Sequence, residues 1–121
     1  MDDEIKKRIL CIDDDSRSRK IVKEILEWNG YEVVTANGAD DALEFLSTDY
    51  DFDLIIMDIL MPDMTGIDLA EKLRSSRETS GIPILGISAH LDEKGDMAVD
   101  DFLGKPLSHD ALAEKVRRLT G

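Results

Sequence analysis

The sequence predicts an α/β domain, a doubly wound parallel sheet of five strands with helices on both faces. Three observations lead there. Short apolar runs of strand length alternate with stripes of helical period, in the order β-α-β-α-β-α-β-(α)-β-α. The strand runs are apolar at nearly every position, as strands buried on both faces must be. Parallel strands joined through helices by right-handed crossovers then leave a doubly wound sheet as the simplest arrangement. The 121 residues read as one domain, 1–121, with enough chain for a real core.

The elements come in order. ILCI, Ile9 to Ile12, is a short buried strand. Ser16 to Asn29 carries Ile21, Val22, Ile25 and Leu26 on one helical face, with Gly30 placed to end the helix and Trp28 expected to pack in part. Tyr31 to Thr35, YEVVT, is rich in β-branched residues and reads as a strand. Asn37-Gly38 turns the chain into a short helix, Ala39 to Ser47, with Ala39, Ala42, Leu43 and Leu46 on one side. Leu54 to Met57 is the most apolar strand. Pro62 and Gly66 mark a loop, and Ile67 to Ser75 is a helix striped by Ile67, Ala70 and Leu73. Ile82 to Ser88 is the fourth strand, and Phe102-Leu103 a very short fifth. Ser108 is the N-cap of the last helix, with Leu107 and Leu112 spaced as a hydrophobic staple. Leu112, Val116 and Leu119 line that helix, and Lys115, Arg117 and Arg118 suit its C-terminal dipole.

Composition excludes several classes of function. Hydrophobic residues at 42% and charged residues at 35% belong to a folded globular chain. No apolar run approaches the ~18 residues of a membrane span, so no membrane insertion is expected. The start, MDDEIKKR, lacks the apolar stretch of a secretory leader. Cys11, the single cysteine, has no internal partner and reads as a small core residue. These points favour the cytoplasm. A net charge of −12 sets this domain by itself against phosphate, so no nucleic acid is expected as a partner.

The residues just past each strand are more telling. Asp13, Asp14 and Asp15 come after ILCI, Asp58 comes after LIIM, Ser88 and Ala89 end the fourth run, and Lys105 and Pro106 come just after Phe102-Leu103. In a doubly wound sheet the carboxyl ends of the strands share one rim, where ligands bind. Asp58, set into the apolar run DLIIMDILMP, is therefore not a lone buried acid but one that ends its strand among partners from three others. Three close carboxylates raise one another's pKa, and a divalent cation relieves the repulsion. Oxygen donors without His or Cys suit Mg²⁺ or Mn²⁺ rather than zinc. A carboxylate beside such a cation can attack a phosphoryl group, with the cation, a lysine and a hydroxyl stabilising the transferred oxygens.

Four segments, in order and each at a strand end, carry a resemblance. ILCIDDD, DLIIMDILMPDMTG, ISA and GKP resemble the signatures of the receiver domain of two-component response regulators, of the chemotaxis-regulator type. The likeness runs from about Lys7 to Leu119. It implies a flavodoxin-like (βα)5 fold with strand order 2-1-3-4-5. It implies that Asp58 is the phosphoacceptor, charged by a histidine kinase or a phosphotransfer protein, and that Mg²⁺ (or Mn²⁺) is held by Asp14 directly, by Asp13 through water, by Asp58 and by the backbone carbonyl of Leu60. Lys105, Ser88 and the backbone of Ala89 would bind the phosphoryl group. Ser88 and Phe102 would form the switch read by a downstream protein target, and the Lys105–Pro106 bond would be cis.

Each residue also has a plainer reading. The acidic run suits a helix start, above all at Asp15. Lys105 could be a surface lysine, Ser88 an ordinary strand-end hydroxyl and Phe102 a core aromatic. His90 and His109 read as surface residues. The chain also departs from the family between Ser88 and Lys105, where AHLDEKGDMAVDDFLGK leaves room for only a short helix before the fifth strand. That departure points to a partner that reads the first helix instead. Leu60, two positions after the acceptor, offers no group to orient water, and His90 holds the matching position after Ser88, so slow loss of phosphate is expected. Two other functions compete. An aspartyl-nucleophile phosphatase would carry a second acid at Leu60 and a cap domain. A phosphorylation-independent binding module would lack the acceptor, an acid or the lysine.

Overall fold

The computed structural model describes residues 6–61, 64–88 and 99–121. Strands β1 (Arg8–Ile12), β2 (Glu32–Ala36), β3 (Leu54–Asp58), β4 (Ile84–Ser88) and β5 (Asp101–Gly104) form one parallel sheet in the order β2-β1-β3-β4-β5. Helices α1 (Ser16–Trp28), α2 (Ala39–Leu46), α3 (Gly66–Ser75) and α4 (His109–Thr120) are the helices among the described residues. The stretch 89–98, where the short helix before the fifth strand is expected, lies outside the described residues, as do Ala89, His90 and Pro62.

The sheet divides the core in two because strand side chains alternate between faces. Leu10, Ile12, Ile55 and Met57 pack with Ala39, Ala42 and Leu46 of α2 and Leu69, Ala70 and Leu73 of α3. Ile9, Cys11, Leu54, Ile56, Leu85 and Ile87 pack with Val22 and Leu26 of α1 and Leu112 and Val116 of α4. Register is regular at the centre, with Cys11 opposite Ile56 and Asp58 opposite Ile87. Cys11 is buried, and burial pushes its thiol pKa up to about 12, which makes it a packing residue rather than a nucleophile.

Caps set the helix ends. Asp15 accepts the amide of Arg17, Thr65 that of Asp68 and Ser108 that of Ala111. Gly30, at φ 93°, ends α1 in a left-handed turn. There Gly30 N–H donates to the Glu27 carbonyl and Tyr31 N–H to that of Leu26, the two bonds of a Schellman motif. Leu107 and Leu112 join the same apolar cluster, as a staple requires.

Element ends differ from the sequence reading by a residue or two. β2 runs Glu32–Ala36 rather than Tyr31–Thr35, and β3 extends through Asp58. Trp28 is the larger difference, since its side chain is 84% exposed rather than partly packed. Only Val22 and Leu26 of α1 are buried, so Ile21 and Trp28 fall on a second apolar stripe that faces outward.

The amino-terminal ends of the strands are tied by ion pairs. The Arg8 guanidinium reaches Asp49 at 3.1 Å and Glu32 at 3.2 Å, and its carbon lies 4.5 Å over the Phe52 ring. The Arg8 amide donates to Asp53. Arg74 pairs with Asp100, whose carboxylate also accepts the Ile84 amide at 2.7 Å.

Candidate functional site

At the opposite ends of the strands the chain concentrates acids. β1 ends at Ile12, and the amide of Asp13 donates to the Ala36 carbonyl of β2, so the first acid still follows the sheet. Asp58 is the last residue of β3. Asp13 is 4% exposed and Asp58 8%, whereas Asp14 is open to solvent. A carboxylate oxygen from each of the three can be chosen so that all lie within 4.8 Å of one another. Asp58 lies more than forty positions from Asp13 and Asp14 in the sequence, and the β1–β3 pairing brings it to them.

Among the described residues, one ammonium reaches this group. Lys105 follows β5, its amide donates to the Ser88 carbonyl at 3.0 Å, and its Nζ lies 3.1 Å from Asp58 Oδ2 and 3.9 Å from Asp13 Oδ2. The Lys105–Pro106 peptide bond is cis. Asp58 Oδ1 accepts the Leu60 amide, and Asp13 Oδ1 accepts that of Asp15. The charges do not balance. Burial, then the Asp58 charge, raise the Asp13 carboxyl well above the ordinary range, to about 6, although the Asp15 amide works the other way. Burial disfavours the Lys105 ammonium, yet its hydrogen bond and charge attraction with Asp58, aided by Asp13, outweigh that and raise its pKa above that of a free lysine.

The walls are close-fitting. Ser88 ends β4 and is buried. A side chain at Gly66 would meet the Ile59 Cα at 2.7 Å, so only glycine lets α3 start this close to the end of β3. One at Gly86 would come within 3.3 Å of the Phe102 ring, which is half-buried beside β4. Leu60 is 54% exposed at the mouth of the site.

The structure thus brings together Asp13, Asp14, Asp58 and Lys105, with Ser88 and Phe102 on the neighbouring strands; Ala89 lies outside the described residues. It adds one residue that the sequence pattern does not single out. Arg19 of α1 donates from Nη1 to the Asp13 carbonyl at 2.7 Å. Nothing in the sequence marks Arg19 apart from its neighbours Arg17, Lys20 and Lys23.

Chemically, the cluster offers hard, charged oxygens with no His or Cys among them, a donor set that fits a small divalent cation better than zinc. Two separate clefts border α1. A cleft of about 260 Å³ lies between Ser18 and Ile21 on one side and Lys105, Pro106 and Leu107 on the other. A second, of about 350 Å³, is lined by Glu24, Ile25, Trp28 and His109. His109 is exposed. Another cleft, between α2 and α3, includes Leu46, Tyr50 and Leu73 in its lining and contains none of these charged groups.

Comparison with known proteins agrees with this geometry. A family model described as the response regulator receiver domain matches residues 9–117. The chain is 32% identical over 114 residues to the transcriptional regulatory protein CpxR of Escherichia coli, covering 93% of this chain but 48% of that protein. It therefore spans about half the length of that relative. Among solved structures, the chemotaxis response regulator CheY4 of Vibrio cholerae superposes with a TM-score of 0.88 at 28% identity, covering 95% of this chain and 99% of that one. The response regulator TrrA of Thermotoga maritima, solved in complex with Mg²⁺-BeF, gives a TM-score of 0.82 at 35% identity, covering 93% and 98%.

Proposed function

The chain belongs to the response regulator receiver domain family, the signalling phosphoacceptors of two-component systems, and from that premise we propose that it takes a phosphoryl group on Asp58. The observation that carries this reading is the convergence of Asp58 with two further acids and Lys105 at one rim of the sheet. On it, residues 1–121 act as one receiver domain, in the cytoplasm. No helix among the described residues is long and apolar enough to cross a membrane.

Each residue has a task. An oxygen of Asp58 attacks phosphorus, the new O–P bond forms as the bond to the donor breaks, and the donor leaves with the electron pair. With a histidine kinase or phosphotransfer protein that leaving atom is an imidazole nitrogen. Asp13, Asp14, Asp58 and the Leu60 carbonyl hold Mg²⁺, with Mn²⁺ as a substitute of the same chemistry. Bound there, the cation offsets the crowded carboxylates and the negative charge of the phosphoryl oxygens. Lys105 gives up Asp58 for a phosphoryl oxygen once the acceptor has become an acyl phosphate. The Ser88 hydroxyl and the Ala89 amide serve as further donors. The pull on Ser88 draws Phe102 inward, and the altered surface is what a downstream protein target reads. The same site gives Mg²⁺-dependent self-phosphorylation from small phosphodonors. Self-dephosphorylation is slow, because apolar Leu60 stands at the mouth and orients no water; faster loss of phosphate from wild type than from Leu60→Asn would contradict this.

The phosphodonor reads α1. Ile21 stands exposed in a cleft that also includes Lys105, and Trp28 stands exposed in a second cleft farther along the same helix. Replacing both with alanine should slow transfer from the kinase and leave transfer from acetyl phosphate unchanged.

The deciding experiment is incubation with acetyl phosphate, read by intact mass. A gain of one phosphoryl group that needs Mg²⁺ and is absent in Asp58→Asn is expected. A phosphorylated Asp58→Asn would move the acceptor elsewhere. An unreactive wild type, toward both acetyl phosphate and kinase, would favour a module that works without phosphate.

A further inference from the structure

Arg19 is half-buried on α1, and the hydrogen bond drawn from its guanidinium goes to a neutral group. Taking such a cation partly out of water has a cost, and three carboxylates lie within a few residues or strands of it. Yet its Nη1 donates to the Asp13 carbonyl at 2.7 Å rather than to any of their oxygens. That carbonyl belongs to the planar peptide that joins Asp13 to Asp14. The Asp13 amide is held on the other side by the Ala36 carbonyl at 3.1 Å, and the Asp13 side chain by the Asp15 amide at 2.9 Å. Arg19 supplies the remaining tie, on the one peptide unit that both acids share. It is carried there by α1, whose first turn is pinned by the Asp15 cap.

We propose that Arg19 is a positioning residue for the cation site, fixing the Asp13–Asp14 peptide so that the two carboxylates stay aimed at the same point. The inference rests on the reading of the cluster as a Mg²⁺ site. Its sign separates it from simple electrostatics. Arg19 is a positive charge close to a site for a positive ion, so by Coulomb's law alone its removal strengthens Mg²⁺ binding. If its work is to hold the peptide, removal weakens binding, because freed carboxylates must be ordered again each time the ion binds.

The test is calorimetric titration of the metal-free protein with Mg²⁺, for wild type, Arg19→Met, Arg19→Lys and Asp14→Asn, with thermal unfolding in chelator to check that each is folded. We expect Arg19→Met to bind about tenfold more weakly, the lower end of what outer-shell partners of a metal site contribute. Arg19→Lys, which keeps a donor on a long stem, should return to within about threefold of wild type. Asp14→Asn should bind least. Should Arg19→Met not fold, Arg19→Gln, whose amide is too short to span the gap, is judged by the same criterion. Unchanged or tighter binding in the Arg19→Met or Arg19→Gln protein overturns the inference and leaves the Mg²⁺ reading in place. A wild type that does not bind Mg²⁺ overturns that reading and the inference with it.

Discussion

The two edges of the sheet handle charge in opposite ways. At the amino-terminal edge several acids meet donors: Arg8 answers Asp49 and Glu32, the Arg8 amide answers Asp53, and Arg74 and the Ile84 amide answer Asp100. The hydrogen bond from Arg8, then the Asp51 amide, hold the Asp49 carboxyl below the usual range. At the carboxyl edge three acids crowd together and Lys105 reaches two of them, and burial, aided by the Asp58 charge, drives Asp13 the other way, to about 6. One edge uses its charges to hold the chain together, and the other keeps them in excess. On the proposed function this is what the site needs, because a site that accepts a cation and a phosphoryl group is not satisfied beforehand by its own chain.

That contrast predicts opposite signs for similar substitutions. The largest effect belongs to Asp13→Asn. Without metal at pH 7.5 it should stabilise the fold by about 3 kcal/mol, because a pKa displaced upward by a unit is worth ~1.4 kcal/mol against the charged form. The sign comes from the raised folded-state value: whatever Asp13 contributes to stability is fully present below its unfolded pKa and is lost as pH rises through about 6. The advantage of Asn should therefore vanish near pH 4, and saturating Mg²⁺ should narrow it at pH 7.5 by stabilising wild type. Urea unfolding at the two pH values checks it, and a variant less stable than wild type at pH 7.5 would erase the contrast between the edges. Arg8→Met comes next, with an expected loss of about 1.5 kcal/mol, since it strips charged partners from Asp49 and Glu32 and the cation from the Phe52 face. Its cost should shrink in high salt, as exposed pairs are screened. Smallest is Trp28→Ala, for which denaturation should report a change within about 0.5 kcal/mol, because the ring is outside both cores.

Much of the carboxyl edge is legible in the order of residues alone. Strand ends are marked by where apolar runs stop, so Asp13, Asp58, Ser88 and Lys105 fall on one rim once the sheet is taken as parallel. The Leu10 and Ile55 side chains on one face and Ile9 and Ile56 on the other follow from alternation alone. The amino-terminal edge is not legible in this way. Arg8 and Asp49 are 41 positions apart and Arg74 and Asp100 are 26 apart, and no local pattern tells one surface charge which distant acid it will meet. Arg19 is hidden for the same reason, being one cation among four on α1. The expectation of partial packing for Trp28 fails because α1 carries two apolar stripes, and hydrophobicity does not say which one the sheet will cover. Val22 and Leu26 are buried, while Ile21 and Trp28 are left outside.

Trp28 has a use beyond packing. It is the chain's one tryptophan, it stands at the last turn of α1, and that helix of 13 residues places it about 20 Å along the axis from the acidic end. Its emission should resemble that of indole in water, and neither cation nor phosphate at the far end of the helix is expected to change it much. A protein laid along α1 would cover the ring, shift its emission to the blue and shield it from quenchers. The unlabelled chain would thus carry an optical signal that separates docking from chemistry, so the two steps of a signalling event could be timed independently in one cuvette.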